Sequence, residues 1–240
     1  MSKLRDRLRE TTRRQANGFG FTAARSTDRA VRQVLLVAEV RDAAGAAAAV
    51  SAGADVLLHA GADESFGEVV SAAGGRVVGR RVDAATAADT KAAQEAGAHF
   101  LAFNDRDTEA AALLDHRMGY VALLGQEDEA ELRLLRPLDL DGAVVDAPGA
   151  QLRVRDQLRL RRTADLLRKP LFVRLTGAVD ATTLEVWRDA GVAAVVVSDP
   201  SLLAEVAEAA DAVPRPRESG ERREVMVPAV QVPADEDDED

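Results

Sequence analysis

Residues 95–104 read EAGAHFLAFN, an Ala-Gly pair followed closely by a run of apolar residues. The same pattern recurs as SAGADVLLHA at residues 51–60 and as DAGVAAVVVS at residues 189–198. A glycine just after a helix adopts the left-handed conformation that ends the helix, so each copy predicts a junction between a helix and a strand. The glycines Gly53, Gly97 and Gly191 are 44 and 94 residues apart, and a weaker copy at residues 138–147 fills the longer interval. The spacing therefore predicts a structural repeat of roughly 45 residues.

Apolar runs typical of buried parallel strands extend this repeat along the chain. Eight of them occur, at residues 33–40, 54–60, 76–82, 98–104, 119–125, 140–147, 171–176 and 192–198. Segments with helical spacing lie between them, among them residues 84–96, 108–117, 152–168 and 181–190. Eight alternating units predict an α/β protein that is a single (β/α)₈ TIM barrel over residues 33–214. Two packed α/β sandwiches and an open doubly wound sheet are the alternatives.

The segments that flank the barrel differ from it in composition. Residues 1–32 form a lead-in, in which residues 2–16 are predicted to form an extra amphipathic helix that closes one end of the barrel. Residues 215–240 are polar and proline-rich and end in six consecutive acids, so a disordered acidic tail is predicted. The apolar stretch VMVPAVQVP at residues 225–233 is either a solvated linker or a segment that docks on the barrel or on a partner.

Composition narrows the class of protein. The chain has no cysteine, which excludes disulfides, thiolate metal sites and a cysteine nucleophile. Its net charge of −10 argues against nucleic-acid binding, which requires a cationic face. No apolar stretch approaches the roughly 18–20 residues of a membrane span, and the first residues lack the apolar core of a signal peptide. We therefore expect a cytoplasmic protein without membrane contact.

Polar residues end the predicted strands, and chemistry in TIM-barrel enzymes takes place at that end of the barrel. They are Glu39, His59, Arg80 or Arg81, Asn104, Gln126, Asp146, Arg174 with Thr176, and Ser198. Carboxylates and imidazole suit acid–base catalysis, so the predicted catalytic residues are Glu39, His59 and Asp146. The predicted substrate-binding residues are Arg80, Asn104, Arg174, Thr176 and Ser198. A structural ion-pair network is the alternative interpretation of the whole set.

Cofactor signals are sparse. Glu39, His59 and Asp146 are suitable ligands for a divalent metal, but nothing in the sequence shows metal geometry, so no metal site is assigned and the cofactor stays open. Neither a dinucleotide-binding fingerprint nor a P-loop occurs. The only lysines are Lys3, Lys91 and Lys169, and none of them ends a strand, which disfavours Schiff-base chemistry.

The loops after the last two strands are where barrels often bind phosphate. The last of these loops reads Ser-Asp-Pro-Ser from Ser198, which is more typical of a helix cap, with Ser198 or Asp199 as the capping residue and Pro200 at the first helical position. A helix cap is therefore predicted there in preference to a phosphate site.

The junction repeat and the stretch VAEVRD at residues 37–42 resemble the aldolase-type and phosphate-binding TIM barrels. The first strand is similar to that of indole-3-glycerol-phosphate synthase, which carries an acid followed closely by a lysine. Glu39 corresponds to the acid, whereas Arg41 stands where the lysine is expected. The resemblance implies the barrel fold over residues 33–213 and an acid–base role for Glu39.

Two functions are consistent with these observations. The first is a lyase or isomerase that acts on a small anionic metabolite, phosphorylated ones included, by carboxylate acid–base chemistry. The alternative is a non-catalytic barrel that serves as a binding or assembly module and uses its tail to contact a protein partner. A partner or a second copy of the chain is expected to bind through residues 225–233 or through the arginine-rich helix at residues 152–168.

Overall fold

The computed structural model describes residues 2–16, 32–148 and 153–216. Eight parallel strands form a closed barrel in which each strand pairs with the next along the chain and the last pairs with the first. The strands are β1 (Leu35–Val40), β2 (Val56–His59), β3 (Val77–Val82), β4 (Phe100–Phe103), β5 (Gly119–Leu123), β6 (Gly142–Asp146), β7 (Leu171–Leu175) and β8 (Val192–Val197). The predicted TIM barrel is therefore confirmed.

The helices are α1 (Lys3–Ala16), α2 (Ala43–Ser51), α3 (Phe66–Ala72), α4 (Ala87–Glu95), α5 (Glu129–Leu135), α6 (Val154–Leu167), α7 (Ala181–Asp189) and α8 (Leu203–Asp211). Gly53, Gly97 and Gly191 have φ angles of 90°, 98° and 102°, which confirms the three predicted junctions. The acidic tail beyond residue 216 lies outside the described residues. No described helix combines the length and apolarity needed to cross a membrane.

One predicted helix is wrong. Residues 108–117 form only a short 3₁₀ helix (Ala110–Leu113). The hydroxyl groups of Thr90 and Tyr120 donate to the carbonyl of Ala112 at 3.0 and 2.9 Å. These side chains supply hydrogen bonds that a longer α-helix would take from its own backbone, so the segment is stabilised without a full helix.

Phenylalanines and glycines alternate inside the barrel. Phe100 and Phe172 are each 1% exposed. They belong to the inner cluster, by which we mean the buried side chains inside the ring of strands, among them Leu35, Val37 and Val144. A methyl group at Gly79 would collide with the Phe100 ring, and one at Gly142 would lie 2.8 Å from the Phe172 ring. A methyl group at Gly119 would also come within 2.9 Å of Phe100 Cβ. The glycines therefore make room for two large rings in a closely packed interior.

Helix α1 covers one end of the barrel, as predicted, and the structure shows that this is the amino-terminal end. Leu4 and Leu8 are 0% and 6% exposed and pack into the inner cluster. Arg5 Nε donates to Asp141 Oδ1 at 2.7 Å, and Arg7 forms an ion pair of 3.0 Å with Asp55. Helix α1 therefore covers the amino-terminal end, and the carboxyl ends of the strands are the place where a TIM barrel binds its ligand.

Candidate functional site at the carboxyl end of the barrel

Glu39 lies at the open end of the barrel, inside the ring of strands. Side chains alternate along a strand, and Leu35 and Val37 belong to the inner cluster, so Glu39 also faces inward. Its side chain is 13% exposed. Arg81 Nη1 of β3 donates to Oε1 at 3.1 Å, and Ser198 Oγ, just after β8, donates to Oε2 at 2.6 Å. Both oxygens of the Glu39 carboxylate are therefore held in place by hydrogen bonds.

A second pair of charges lies across β6 and β7. Arg174 follows Phe172 by two residues and Asp146 follows Val144 by two, so both face inward by the same alternation. Arg174 Nη1 lies 3.4 Å from Asp146 Oδ1, which is long for a hydrogen bond. Arg174 Nε is buried and has no partner among the described residues. A buried donor without a partner costs about 1–3 kcal/mol, so this guanidinium is suited to bind an additional acceptor.

Two predicted substrate-binding residues have other surroundings. Asn104 Oδ1 accepts a hydrogen bond of 3.0 Å from the backbone N–H of Arg106 and stabilises the turn after β4. Thr176 follows β7 and lines a groove of about 480 Å³ together with Asp180 and Trp187. The indole N–H of Trp187 is buried and has no partner among the described residues. The structure thus brings Glu39 and Ser198 together but leaves Asn104 engaged in a turn.

His59 and Arg80 lie in the layer between the barrel and its helices, so the structure does not bring them together with Glu39 and Ser198 inside the ring of strands. The His59 ring packs against Phe66 with a centroid distance of 5.4 Å, and its Nε2 is 2.9 Å from Ser65 Oγ. Arg80 forms an ion pair with Asp63 and lies 6.0 Å above the Phe66 ring. Both residues stabilise the β2–α3 connection.

The inward-facing arginine of β3 is Arg81, whereas the predicted substrate-binding residue is Arg80. The sequence contains one signal for this choice. Gly79 interrupts an apolar strand, and a glycine inside a strand marks a place where another group approaches closely. In the barrel that group is Phe100, so Gly79 faces inward and Arg81, two residues later, does as well.

The metal ligands suggested by the sequence do not converge, because His59 faces the helix layer whereas Glu39 and Asp146 face inward. Among the described residues, no three histidine or acidic side chains come close enough to hold a metal ion. At the end of β8, Asp199 accepts a hydrogen bond from the backbone N–H of Ser201, with Pro200 in the first turn of a 3₁₀ helix (Pro200–Leu202). The predicted helix cap is therefore confirmed with Asp199 as its capping residue.

The buried histidines predict how stability depends on pH. Burial lowers the pKa of His59, with a smaller contribution from Arg80, and burial also lowers the pKa of His99. Below pH of about 6.5 the unfolded chain binds protons at these positions and the folded chain does not, so the free energy of unfolding falls as the pH falls. Each histidine can contribute a slope of at most about 1.4 kcal/mol per pH unit.

Urea unfolding between pH 5 and 8 measures this slope. We expect His59→Gln to reduce it, because the substituted side chain takes up no proton in either state. His116→Gln is the matched control, since it exchanges the same two residue types at an exposed position and so reports any effect of the substitution itself. A slope that is identical in the His59→Gln variant and the original chain would contradict the prediction.

The structure is a TIM barrel with two ion pairs at the carboxyl ends of its strands, Arg81 with Glu39 and Arg174 with Asp146. The chain is similar in structure to KGPDC from Streptococcus mutans, with a TM-score of 0.60 and 15% identity over 75% of this chain and 95% of that one. It is also similar to the YdjI aldolase from Escherichia coli K12, with a TM-score of 0.59 and 13% identity over 82% and 81% of the two chains. The ligand-free tryptophan synthase from M. tuberculosis matches with a TM-score of 0.63 and 13% identity, covering 88% of this chain and 100% of that one.

No protein-family model matches the sequence, and no curated protein sequence matches it. At these identities the structural likeness shows the TIM-barrel fold, which is the fold that the predicted resemblance implied. The narrower resemblance of β1 to indole-3-glycerol-phosphate synthase stays a prediction.

Proposed function

We propose that this protein is a lyase or isomerase that binds a small anionic metabolite at the open end of the barrel and acts on it by carboxylate acid–base chemistry. The observation that carries the proposal is the Glu39 carboxylate, which faces the interior, is 13% exposed and is oriented by Arg81 and Ser198. A carboxylate fixed by two donors is positioned to take a proton from a bound substrate and to return it elsewhere.

Arg174 supplies the binding group for the substrate anion. Its Nε is buried and without a partner among the described residues, and its bond to Asp146 is long. A carboxylate or phosphoryl group of the substrate would complete the hydrogen bonding of the guanidinium, with Asp146 as the second acid–base group. His59 and Arg80 are left out of this proposal because they lie behind the barrel wall. The similar structures named as an aldolase and a tryptophan synthase are enzymes, which supports a catalytic role for the fold.

A ligand screen tests the proposal. Purified protein is heated in the presence of small carboxylates, phosphorylated sugars, flavin mononucleotide and divalent metals. A ligand at about 100 times its Kd stabilises the folded state by about 2.7 kcal/mol, which for a chain of this size raises Tm by roughly 5–10 °C. We expect a hit among the anions, and we expect Arg174→Ala to weaken its binding about 10- to 100-fold, because a charge-assisted hydrogen bond is lost.

Arg133→Ala is the matched control, since Arg133 is an exposed arginine of α5 that pairs with Glu129 away from the ring. A hit that Arg133→Ala and Arg174→Ala weaken equally would contradict the assignment of Arg174.

The alternative of a non-catalytic barrel is favoured by one observation. Arg81 lies opposite Glu39 and Arg174 lies opposite Asp146, which is also the arrangement of a purely structural ion-pair network. The same screen separates the two functions. Absence of any hit, together with a lowered Tm in the Arg174→Ala variant, would favour a structural ion-pair network and hence a binding or assembly module.

A further inference from the structure

Helix α6 presents an unusual outer face. Val154 and Leu158 lie one turn apart on this face and are 72% and 61% exposed, although large apolar side chains are mostly buried in this barrel. Arg155 and Arg162 flank them on the same side of the helix and are exposed as well. We call this surface the α6 face and define it by Val154, Arg155, Leu158, Arg159 and Arg162.

The α6 face is basic in an acidic protein. Residues 153–168 contain six arginines against two aspartates, whereas the whole chain has a net charge of −10. Arg162 pairs with Glu129 of α5. Arg155 and Arg159 form no ion pair with any residue in the described ranges. The face therefore combines apolar side chains with arginines that have spare capacity for acidic groups.

The tail of the same chain has the complementary composition. Residues 225–233 read VMVPAVQVP, and residues 235–240 are all acidic. An apolar segment followed directly by acids matches a surface on which exposed apolar residues lie beside arginines. Opposite charges attract over a Debye length of about 8 Å at physiological ionic strength, so this match favours the encounter of the two segments.

The last described residues lie beside α7, the helix that follows α6 in the barrel. Arg188 at the end of α7 donates to the carbonyl of Pro214, so the chain leaves the barrel beside that helix. Arg161, in the middle of α6, donates to the carbonyl of Asp189 at 3.4 Å, which places α6 next to the end of α7. The eight residues 217–224 can span roughly 26–29 Å, and the 14 residues of α6 are about 21 Å long.

From these observations we infer that residues 225–240 bind to the α6 face of their own chain, with the apolar segment on Val154 and Leu158 and the acids beside Arg155 and Arg159. A short tether gives an effective concentration in the millimolar range, so a contact with a Kd of about 1 mM is already half occupied. The contact needs only a small interface for this reason. A second copy of the chain is the competing occupant, and the experiment distinguishes the two.

Because the chain has no cysteine, two introduced cysteines report the contact in the full-length protein. We compare Leu158→Cys with Val230→Cys against the matched control Leu114→Cys with Val230→Cys. Leu114 is 70% exposed and follows β4, two units away from α6 around the barrel and separated from it by α5. We expect the first pair to form an intramolecular disulfide at least about tenfold faster on mild oxidation, at a rate independent of protein concentration, because binding brings the two sulfur atoms together.

Reversing the charge of two arginines on the α6 face gives a second test. Adding Arg155→Glu and Arg159→Glu to the first cysteine pair should slow its disulfide formation to the rate of the control pair. Equal rates for the Leu158 and Leu114 pairs would overturn the inference. Disulfide-linked dimers that form faster at higher protein concentration would also overturn it, because they would place the tail of one copy on the α6 face of another.

A measurement without cysteines guards against an effect of the substitutions themselves. Hydrogen exchange of residues 225–233 should be slower in the original chain than in the Leu158→Asp variant. Exchange at the same rate in both proteins would equally overturn the inference.

Discussion

The substitution Phe100→Ala should lower the free energy of unfolding by about 3–5 kcal/mol. Phe100 is 1% exposed, and its ring fills the centre of the barrel above Gly79. Removal of the ring leaves a cavity that the closed sheet cannot collapse into, since the strands are hydrogen-bonded on both sides. A typical domain has only about 5–15 kcal/mol of stability, so the loss is a large share of the total.

Urea unfolding of Phe100→Ala and of Leu114→Ala measures this effect. Leu114 is 70% exposed, so its truncation should change the stability by no more than about 0.5 kcal/mol. Losses of similar size in the two variants would show that the Phe100 ring does not fill the barrel core.

Gly79→Ala extends the same test. The added methyl group collides with the Phe100 ring, and overpacking of this kind costs about 1–3 kcal/mol. In the Phe100→Ala background the methyl group enters the space left by the ring, so the double variant should be more stable than the two single losses predict, by about 0.5–3 kcal/mol. If the stability losses of the two substitutions simply add, the two residues are not in contact, and the prediction is contradicted.

Once a substrate is identified, Glu39→Gln should reduce kcat about 10²- to 10⁴-fold, the usual contribution of a general base. Glutamine keeps the shape of the side chain and can still accept the hydrogen bond from Ser198, so folding should be retained. Ser198→Ala should have a smaller effect, because it removes one of the two groups that orient the carboxylate. Steady-state kinetics with the purified variants gives kcat and KM separately.

Glu95→Gln is the matched control for this experiment, since Glu95 is an exposed acid of α4 that pairs only weakly with Lys91, at 3.9 Å. It should leave kcat unchanged. Full activity of Glu39→Gln would contradict the proposed base, and an increase in KM without a decrease in kcat would make Glu39 a binding residue instead.

The carboxyl-end site was only partly predictable. Glu39, Asp146, Arg174 and Ser198 were found because each is polar and ends an apolar strand, and the structure places all four at the open end of the barrel. His59 is also a polar residue at the end of an apolar strand, but its side chain lies outside the ring of strands, against Phe66 of α3. Parallel strands of a barrel are buried on both faces, so the apolar residues on the two sides do not reveal which side is inner.

Arg80 and Arg81 illustrate the same point at adjacent positions. They differ only in parity along β3, and parity is set by the packing of Gly79 against the Phe100 ring. Phe100 is on a different strand, 21 residues further along the sequence. Pairing between arginine and acid was likewise not predictable, since Arg81 and Glu39 are 42 residues apart.

By itself the sequence determined the barrel, its eight strands, the glycine junctions, the helix cap after the last strand and the helix that closes one end of the barrel. These features depend on local periodicity, on backbone preferences and on amphipathic spacing, all of which are written in adjacent residues. Only the tertiary structure decided which polar residues share the barrel interior, because that depends on the register and parity of neighbouring strands. It also decided that residues 108–117 form no full helix, because Thr90 and Tyr120 bind the carbonyl of Ala112 from outside the segment.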